Sequence, residues 1–366
     1  MMRLQITGLS SAGEGLSTWE GKKVRVLGSL PGEEVEARVL REDREVVAVT
    51  EEIVTRAPDR VSSPCPLFPR CTGCQLQHLN YPQQLEFKRS KVEQALQVRA
   101  EKPVPCGEWG YRNHARLTAD RGEIGFVNKY TEEFIRVDRC LLMAPLINDL
   151  LSQLQGRCTS TMVSIRVGVR TGEYLIQPEL PLPSPATGQP FYHEALLGRR
   201  LRISSPSFFQ PNTEGAETMV RILREWIGSA DRIMDAYAGV GTFSALLSDL
   251  ASEVVAVEES SSAERDARFN LRGLSNVRFV RSKVEEVLPM EGLDVLILDP
   301  PRQGCSKEVL EAITKEPPRR IVYISCNPWT MGRDVRQLKG FTVEKVQPID
   351  LFAQTQHIEC MALLTR

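Results

Sequence analysis

The sequence lacks a net charge of either sign worth naming: 46 Lys and Arg face 47 Asp and Glu, leaving −1 at neutral pH. Composition alone therefore does not announce a polyanion binder, and a nucleic-acid partner would have to be held by local patches. Residues 61–140 carry 12 basic against 9 acidic side chains, a mild excess that a solvated surface explains equally well. No uninterrupted apolar run of about 18 residues occurs, which excludes a helical membrane span. The opening residues, MMRLQITGLSSAGEG, have no apolar core of a secretory signal, so a cytoplasmic chain is expected. There is no internal repeat.

What is present is an ordinary globular composition, 42% apolar and 25% charged over 366 residues, long enough for two or three domains. Nine cysteines are many. In a reducing compartment they are not read as disulfides. Cys65, Cys71 and Cys74 lie together in C-x5-C-x2-C spacing, which points to metal or cluster ligation.

Three units follow from the patterning. Residues 1–56 hold short β-branched segments (LQITGLS, KKVRVLGSL, EEVEARVLRE, REVVAVTEEIV) divided by Gly and Pro-Gly turns, the pattern of a small β-barrel. Pro31-Gly32-Glu33 reads as an acidic hairpin turn. Residues 57–200 form an α+β unit with the cysteine-rich loop, a helix (YPQQLEFKRSKVEQALQ), further strands and a Pro-rich stretch at 178–190. From 201 to 366 helices and strands alternate, which implies βαβ units and a mostly parallel, doubly wound α/β sheet.

Within that last unit Asp235-Ala-Tyr237-Ala-Gly239-Val-Gly241-Thr242 closes a strand and opens a helix. Glycines there let the backbone turn and approach a ligand, and the next strand ends on Glu258, well placed for ribose hydroxyls. A Gly-rich turn without a ligand is the bland alternative. Ser244 stands where a third glycine would be, so a nucleoside cofactor such as S-adenosylmethionine is expected rather than a dinucleotide.

Three further segments end strands of the same sheet and so converge on one cleft: LILDPPRQG with Asp299 and Arg302, VYISCNP with Cys326, and QHIEC with His357 and Glu359. Cys326 is a candidate nucleophile, against the alternative of a packed core thiol. Glu359, flanked by Ile358 and Cys360, is a candidate general base whose burial would raise its pKa, against the alternative of an exposed edge-strand carboxylate. Asp-Pro-Pro followed by Arg302 lacks the aromatic that amine methyltransferases place there.

In SFFQPN (with Gln210), DAYAGVGTFS, DPPRQG, VYISCNP and TQHIE, in this order, the chain resembles the RNA 5-methyluridine methyltransferases. The resemblance spans almost the whole sequence. It implies a C-terminal Rossmann-like class I methyltransferase domain and an N-terminal OB-like TRAM barrel, the latter on PGEEVEARV. By the resemblance Gln210, Tyr237, Gly239, Thr242, Glu258 and Asp299 serve the cofactor, Cys326 is the nucleophile and Glu359 the proton acceptor. Cys65, Cys71 and Cys74, with Cys140 as the distant fourth ligand in place of Cys106, resemble the [4Fe–4S] motif of the rRNA branch. Zinc suits four thiolates equally well on spacing. The barrel would bind RNA, although Trp19 is its single aromatic for base stacking. Tyr111, Arg112 and Arg116 match a central motif near the RNA. Lys283 stands where an acid or amide is usual, so that contact to adenine would come from elsewhere. The expected substrate is 23S rRNA ahead of tRNA. A cytosine-C5 enzyme is disfavoured because Ser325, not Pro, precedes Cys326, and a non-catalytic RNA-binding module would not need the cofactor turn, Cys326 and Glu359 together.

Overall fold

The computed structural model describes residues 1–366. Its N-terminal sheet has six strands. Met2–Gln5 pairs with Glu34–Glu42, then come Val46–Thr55, Lys22–Leu27, Gly15–Trp19 and Gly8–Leu9. Alternation places Met2, Leu4, Val24, Val26, Val35 and Ala37 in one small core and their neighbours outside. The sheet curls on itself, since Ser17 Oγ donates to Gln5 O at 2.8 Å. Glu33 is not the solvated turn residue its surroundings imply. It is fully buried and paired with Arg60 at 2.5 Å, and it also accepts from Leu30 N and Ala57 N. Burial pushes its pKa up, but Arg60 and the two amides more than offset that and hold it below the usual range.

The central sheet is antiparallel, in the order Phe134–Arg136, Glu123–Val127, His114–Asp120, Met162–Val167, Tyr174–Gln177. Helix Pro145–Leu154 covers it with Ile147, Leu150, Leu151 and Leu154, one face at helical spacing. After the Pro-rich stretch comes a separate hairpin, Phe191–Leu196 with Arg199–Ser204.

The C-terminal sheet has eight strands: Val277–Arg281, Ala251–Glu258, Ala230–Ala236, Val295–Leu298, Arg320–Ser325, Glu359–Thr365, Thr342–Asp350 and Val104–Pro105. The first five are mutually parallel, while Glu359–Thr365 runs antiparallel to both of its neighbours. Successive residues feed opposite cores: Val295 and Ile297 face one side, Leu296 and Leu298 the other. Burial on both faces explains the unbroken apolar run at 295–298.

Two pieces of residues 57–200 belong to this sheet. Val104–Pro105 is its edge strand. Helix Tyr81–Leu96, capped by the Asn80 side chain, packs Val92, Ala95 and Leu96 on the same core as Leu296 and Tyr323. The fully buried Lys88 ties it down, donating to Asp350 Oδ1 at 2.6 Å, and Tyr81 OH donates to Asp350 Oδ2 at 3.0 Å. No helix is long and apolar enough to cross a membrane.

Candidate active site

All the strand-end residues named above lie along the carboxyl edge of the parallel strands, where open α/β sheets bind ligands. The turn after Ala230–Ala236 has three left-handed residues, Tyr237, Gly239 and Gly241, at φ 67°, 54° and 79°. A Cβ on Gly239 would meet nothing within 4 Å, so the backbone there opens onto free space. Glu258 ends the adjacent strand and accepts from Gly239 N at 3.0 Å and from Ser260 N at 2.8 Å. Thr242 starts the helix Thr242–Leu247. Gln210 is buried, and its carbonyl accepts from Asn113 Nδ2 at 3.1 Å. Ser244 donates to Asp235 Oδ2 through both N (2.9 Å) and Oγ (2.5 Å), which accounts for a serine in the third glycine's place.

Asp235 itself escaped the sequence reading. It is wholly buried, and its Oδ1 has no partner. Burial and the nearby Glu258 raise its pKa to about 6 against the pull of Ser244. Asp299, just past Val295–Leu298, is raised to about 7 by burial and by Asp235. Glu359 is 4% exposed, and burial first, then Asp299, drives it well above the carboxylate range while Arg302 opposes. A row of carboxylates that repel one another out of water is a site for a cation.

Cys326 follows the last residue of strand Arg320–Ser325. That strand pairs Ser325 with Cys360, so one further step of the register sets Cys326 opposite Glu359. Its side chain is half-buried, unlike the sealed Cys360, whose Sγ donates to Ser325 O at 3.3 Å. Burial, then Glu359, pushes the Cys326 thiol up to about 11, and Arg302 pulls the other way. Arg302 is the second residue given no role by sequence reasoning. Its exposed guanidinium acts on Cys326, Glu359 and His357, with Nη2 3.4 Å from His357 Nδ1. His357 is held neutral, lowered to about 4 by burial and then by Arg302. The signal was available in DPPR, whose arginine directly follows the strand-end acid and prolines. Two exposed aromatics flank the cleft in sequence, Phe208 before Gln210 and Trp329 after Cys326.

The cysteines are a partial match to expectation. Cys65, Cys71, Cys74 and Cys140 are half-buried; burial first, then the neighbouring thiols, raises the pKa of Cys71, Cys74 and Cys140, that of Cys74 to about 12. Cys106 lies instead beside Glu214 and Asp350, away from this group. Yet no group of three or more Cys, His, Asp or Glu side chains is placed to hold a metal ion, so convergence stops short of a closed ligand set. Trp19 packs against the barrel core rather than standing free as a stacking platform. Lys283 is exposed at the start of the short helix Val284–Val287. Tyr111 OH donates to Ala353 O at 2.9 Å, Arg112 Nε to His114 O at 2.9 Å, and Arg116 contacts Met162.

Residues 288–366, which carry Asp299, Cys326 and Glu359, match the family model described as tRNA (Uracil-5-)-methyltransferase. An uncharacterized RNA methyltransferase of Gloeobacter violaceus is 34% identical over 99% of this chain and 95% of its own length. The chain belongs to the RNA 5-methyluridine methyltransferase family. As a member it is an S-adenosylmethionine-dependent RNA methyltransferase of α/β methyltransferase fold. A second uncharacterized RNA methyltransferase, from Thermosynechococcus vestitus, is 32% identical over 100% of this chain and 98% of its own. Among solved structures, the Pyrococcus abyssi tRNA (uracil-54, C5)-methyltransferase in complex with S-adenosyl-L-homocysteine is similar over 100% of both chains, with 28% identity and a TM-score of 0.81. S-Adenosylmethionine fits the observed site: the turn at Gly239 opens onto free space beside Glu258, and the raised Asp299 at the same edge favours a cationic ligand.

Proposed function

We propose that this methyltransferase modifies C5 of a uridine in 23S rRNA through a covalent bond between Cys326 Sγ and C6 of the base. The observation that supports it most is the register that sets Cys326 opposite Glu359 at the cofactor edge of the sheet. C5 of uracil is a weak nucleophile. Addition of the Cys326 thiolate at C6 breaks the ring's conjugation and makes C5 electron-rich, splitting one hard step into easier ones. S-Adenosylmethionine supplies the electrophilic methyl group. Glu359 then takes the C5 proton, and expulsion of Cys326 restores the ring. Burial works against ionisation of both groups in the free protein. Arg302 favours the thiolate, and cations entering the carboxylate row favour the ionised Glu359. Gln210, Tyr237, Gly239, Thr242, Glu258 and Asp299 hold the cofactor. The uridine must leave its stack to reach Cys326, and the exposed Phe208 and Trp329 offer faces for neighbouring bases.

The rRNA assignment rests on the barrel and cysteine motifs. A second reading, a tRNA uridine, has in its favour the full-length likeness to the Pyrococcus abyssi enzyme. Mapping 5-methyluridine in both RNAs from a deletion strain and its complemented parent is expected to show loss at a 23S position. Loss at a tRNA position would move the target there, and no loss in either RNA would sink the reading. The division into units 1–56 (a TRAM-like barrel), 57–200 and 201–366, and a cytoplasmic location, are part of the same reading.

Cys65, Cys71, Cys74 and Cys140 would take up a [4Fe–4S] cluster, with zinc as the alternative, on the support of four half-buried thiols from two segments in mutual range. Protein purified without oxygen is expected to carry iron and acid-labile sulfide in about equal amounts. Stoichiometric zinc with no sulfide would replace the cluster by a zinc site.

A further inference from the structure

Residues 351–358 connect strand Thr342–Asp350 to Glu359, and thus set how that carboxylate enters the cleft. Such a connection normally runs in solvent, where water satisfies its backbone. This one is buried at Leu351, Ala353, Gln354 and Thr355. Its polar groups must therefore find protein partners: Asn212, Lys88, Tyr111 and Lys91 donate to the carbonyls of Leu351, Phe352, Ala353 and Gln356, and residues of the segment 75–84 hold Gln354. Gln75 N and Leu76 N both donate to Gln354 O, at 3.2 and 3.0 Å. Gln354 N donates to Gln84 Oε1 at 3.1 Å, and Gln84 Nε2 reaches Gln354 Oε1 at 2.9 Å. The same Nε2 lies 3.0 Å from Leu76 O and 2.8 Å from Leu79 O, so its two hydrogens serve three acceptors and tie both segments together. Gln356 N donates to Gln75 Oε1 at 3.2 Å. Gln354 is held at φ 67°, a left-handed conformation uncommon for a non-glycine residue. Cys74 and Cys140 also pack on Tyr111, Leu142 and Ala353, the last of which lies in the connection itself.

We infer that Gln84 is a positioning residue that clamps the 351–358 connection onto the segment following Cys74, so that the order of the cysteine-rich segment sets the placement of Glu359. The catalytic consequence rests on the reading of Glu359 as proton acceptor; the clamp itself does not. Gln84→Met keeps the shape and removes the four hydrogen bonds of the Gln84 side chain, and Cys74→Ala perturbs the other end. In the full-length protein, both variants are expected to raise hydrogen exchange across 351–358 by about tenfold or more, with strands Ala230–Ala236 and Val295–Leu298 unchanged. The kcat is expected to fall by about ten- to a hundredfold at unchanged KM for S-adenosylmethionine, since displacement alone costs that much in a tight site. The double variant should be no slower than the slower single one, because both act through one contact. Should Gln84→Met fail to fold, Gln75→Ala, which removes the bond to Gln356 N, should raise exchange at 355–357. Unchanged exchange in the folded variant, raised exchange with full kcat, or losses that multiply in the double variant would overturn the inference. A fully active Glu359→Gln variant beside raised exchange in Gln84→Met would remove the base and leave the clamp supported.

Discussion

Cys326→Ala is expected to bind RNA and S-adenosylmethionine as the parent does and to transfer no methyl group, a loss on the order of 10⁴-fold or more. The size follows from the chemistry: without addition at C6 there is no electron-rich C5, and no neighbouring group can substitute. Structure predicts little collateral damage. The side chain is only half-buried, and it stands beyond the end of its strand rather than within the packing. The Asn327 side chain that caps the following helix, with Oδ1 3.2 Å from Trp329 N, is untouched. Cys360→Ala is the matching control. That thiol is sealed in the core beside Met331, so its loss is one of packing and should lower stability with the chemistry intact. Measured as methyl incorporation into RNA beside a binding isotherm, turnover by Cys326→Ala near that of the parent would end the covalent scheme.

The parts of this site that were legible in the sequence are those where a single residue type does a job no other can do. Gly239 and Gly241 occupy left-handed backbone, Glu258 ends a strand, and apolar runs buried on two faces mark the parallel sheet. What stayed hidden depends on which surfaces meet. The composition of 81–96 points to a helix but not to its leaving its own unit to cover the C-terminal sheet through Lys88 and Asp350. Glu33 looks like any turn acid until Arg60, far along the chain, is found against it. Arg302 gains its meaning only from three partners that converge on it from other strand ends. Cysteine spacing brings thiols into one neighbourhood and separates Cys140 from Cys106, but distances within that neighbourhood are set by packing that spacing does not describe.

Glu359→Gln is expected to stop the reaction one step later than Cys326→Ala does. Addition and methyl transfer proceed, the C5 proton finds no acceptor, and the methylated base stays bonded to Cys326. The result is a protein–RNA species that survives denaturing electrophoresis, with turnover lowered by about 10²- to 10⁴-fold. Unfolding does not account for such a loss. The folded-state pKa of Glu359 is raised above the unfolded value, so its protonated form contributes stability that is present at low pH and lost as pH rises through the folded pKa. A glutamine is neutral throughout and removes that loss, so the variant should be at least as stable as the parent at neutral pH. The same sign governs the parent's rate. Glu359 must be ionised to accept a proton, so the single-turnover rate of product release from the adduct should climb with pH, and Glu359→Gln should lose that climb. Full turnover with no adduct band and an unaltered pH profile would show that the carboxylate at the strand end is a buried bystander and that the proton leaves to another acceptor, for which His357, neutral and 3.4 Å from Arg302, is the nearest candidate in sequence.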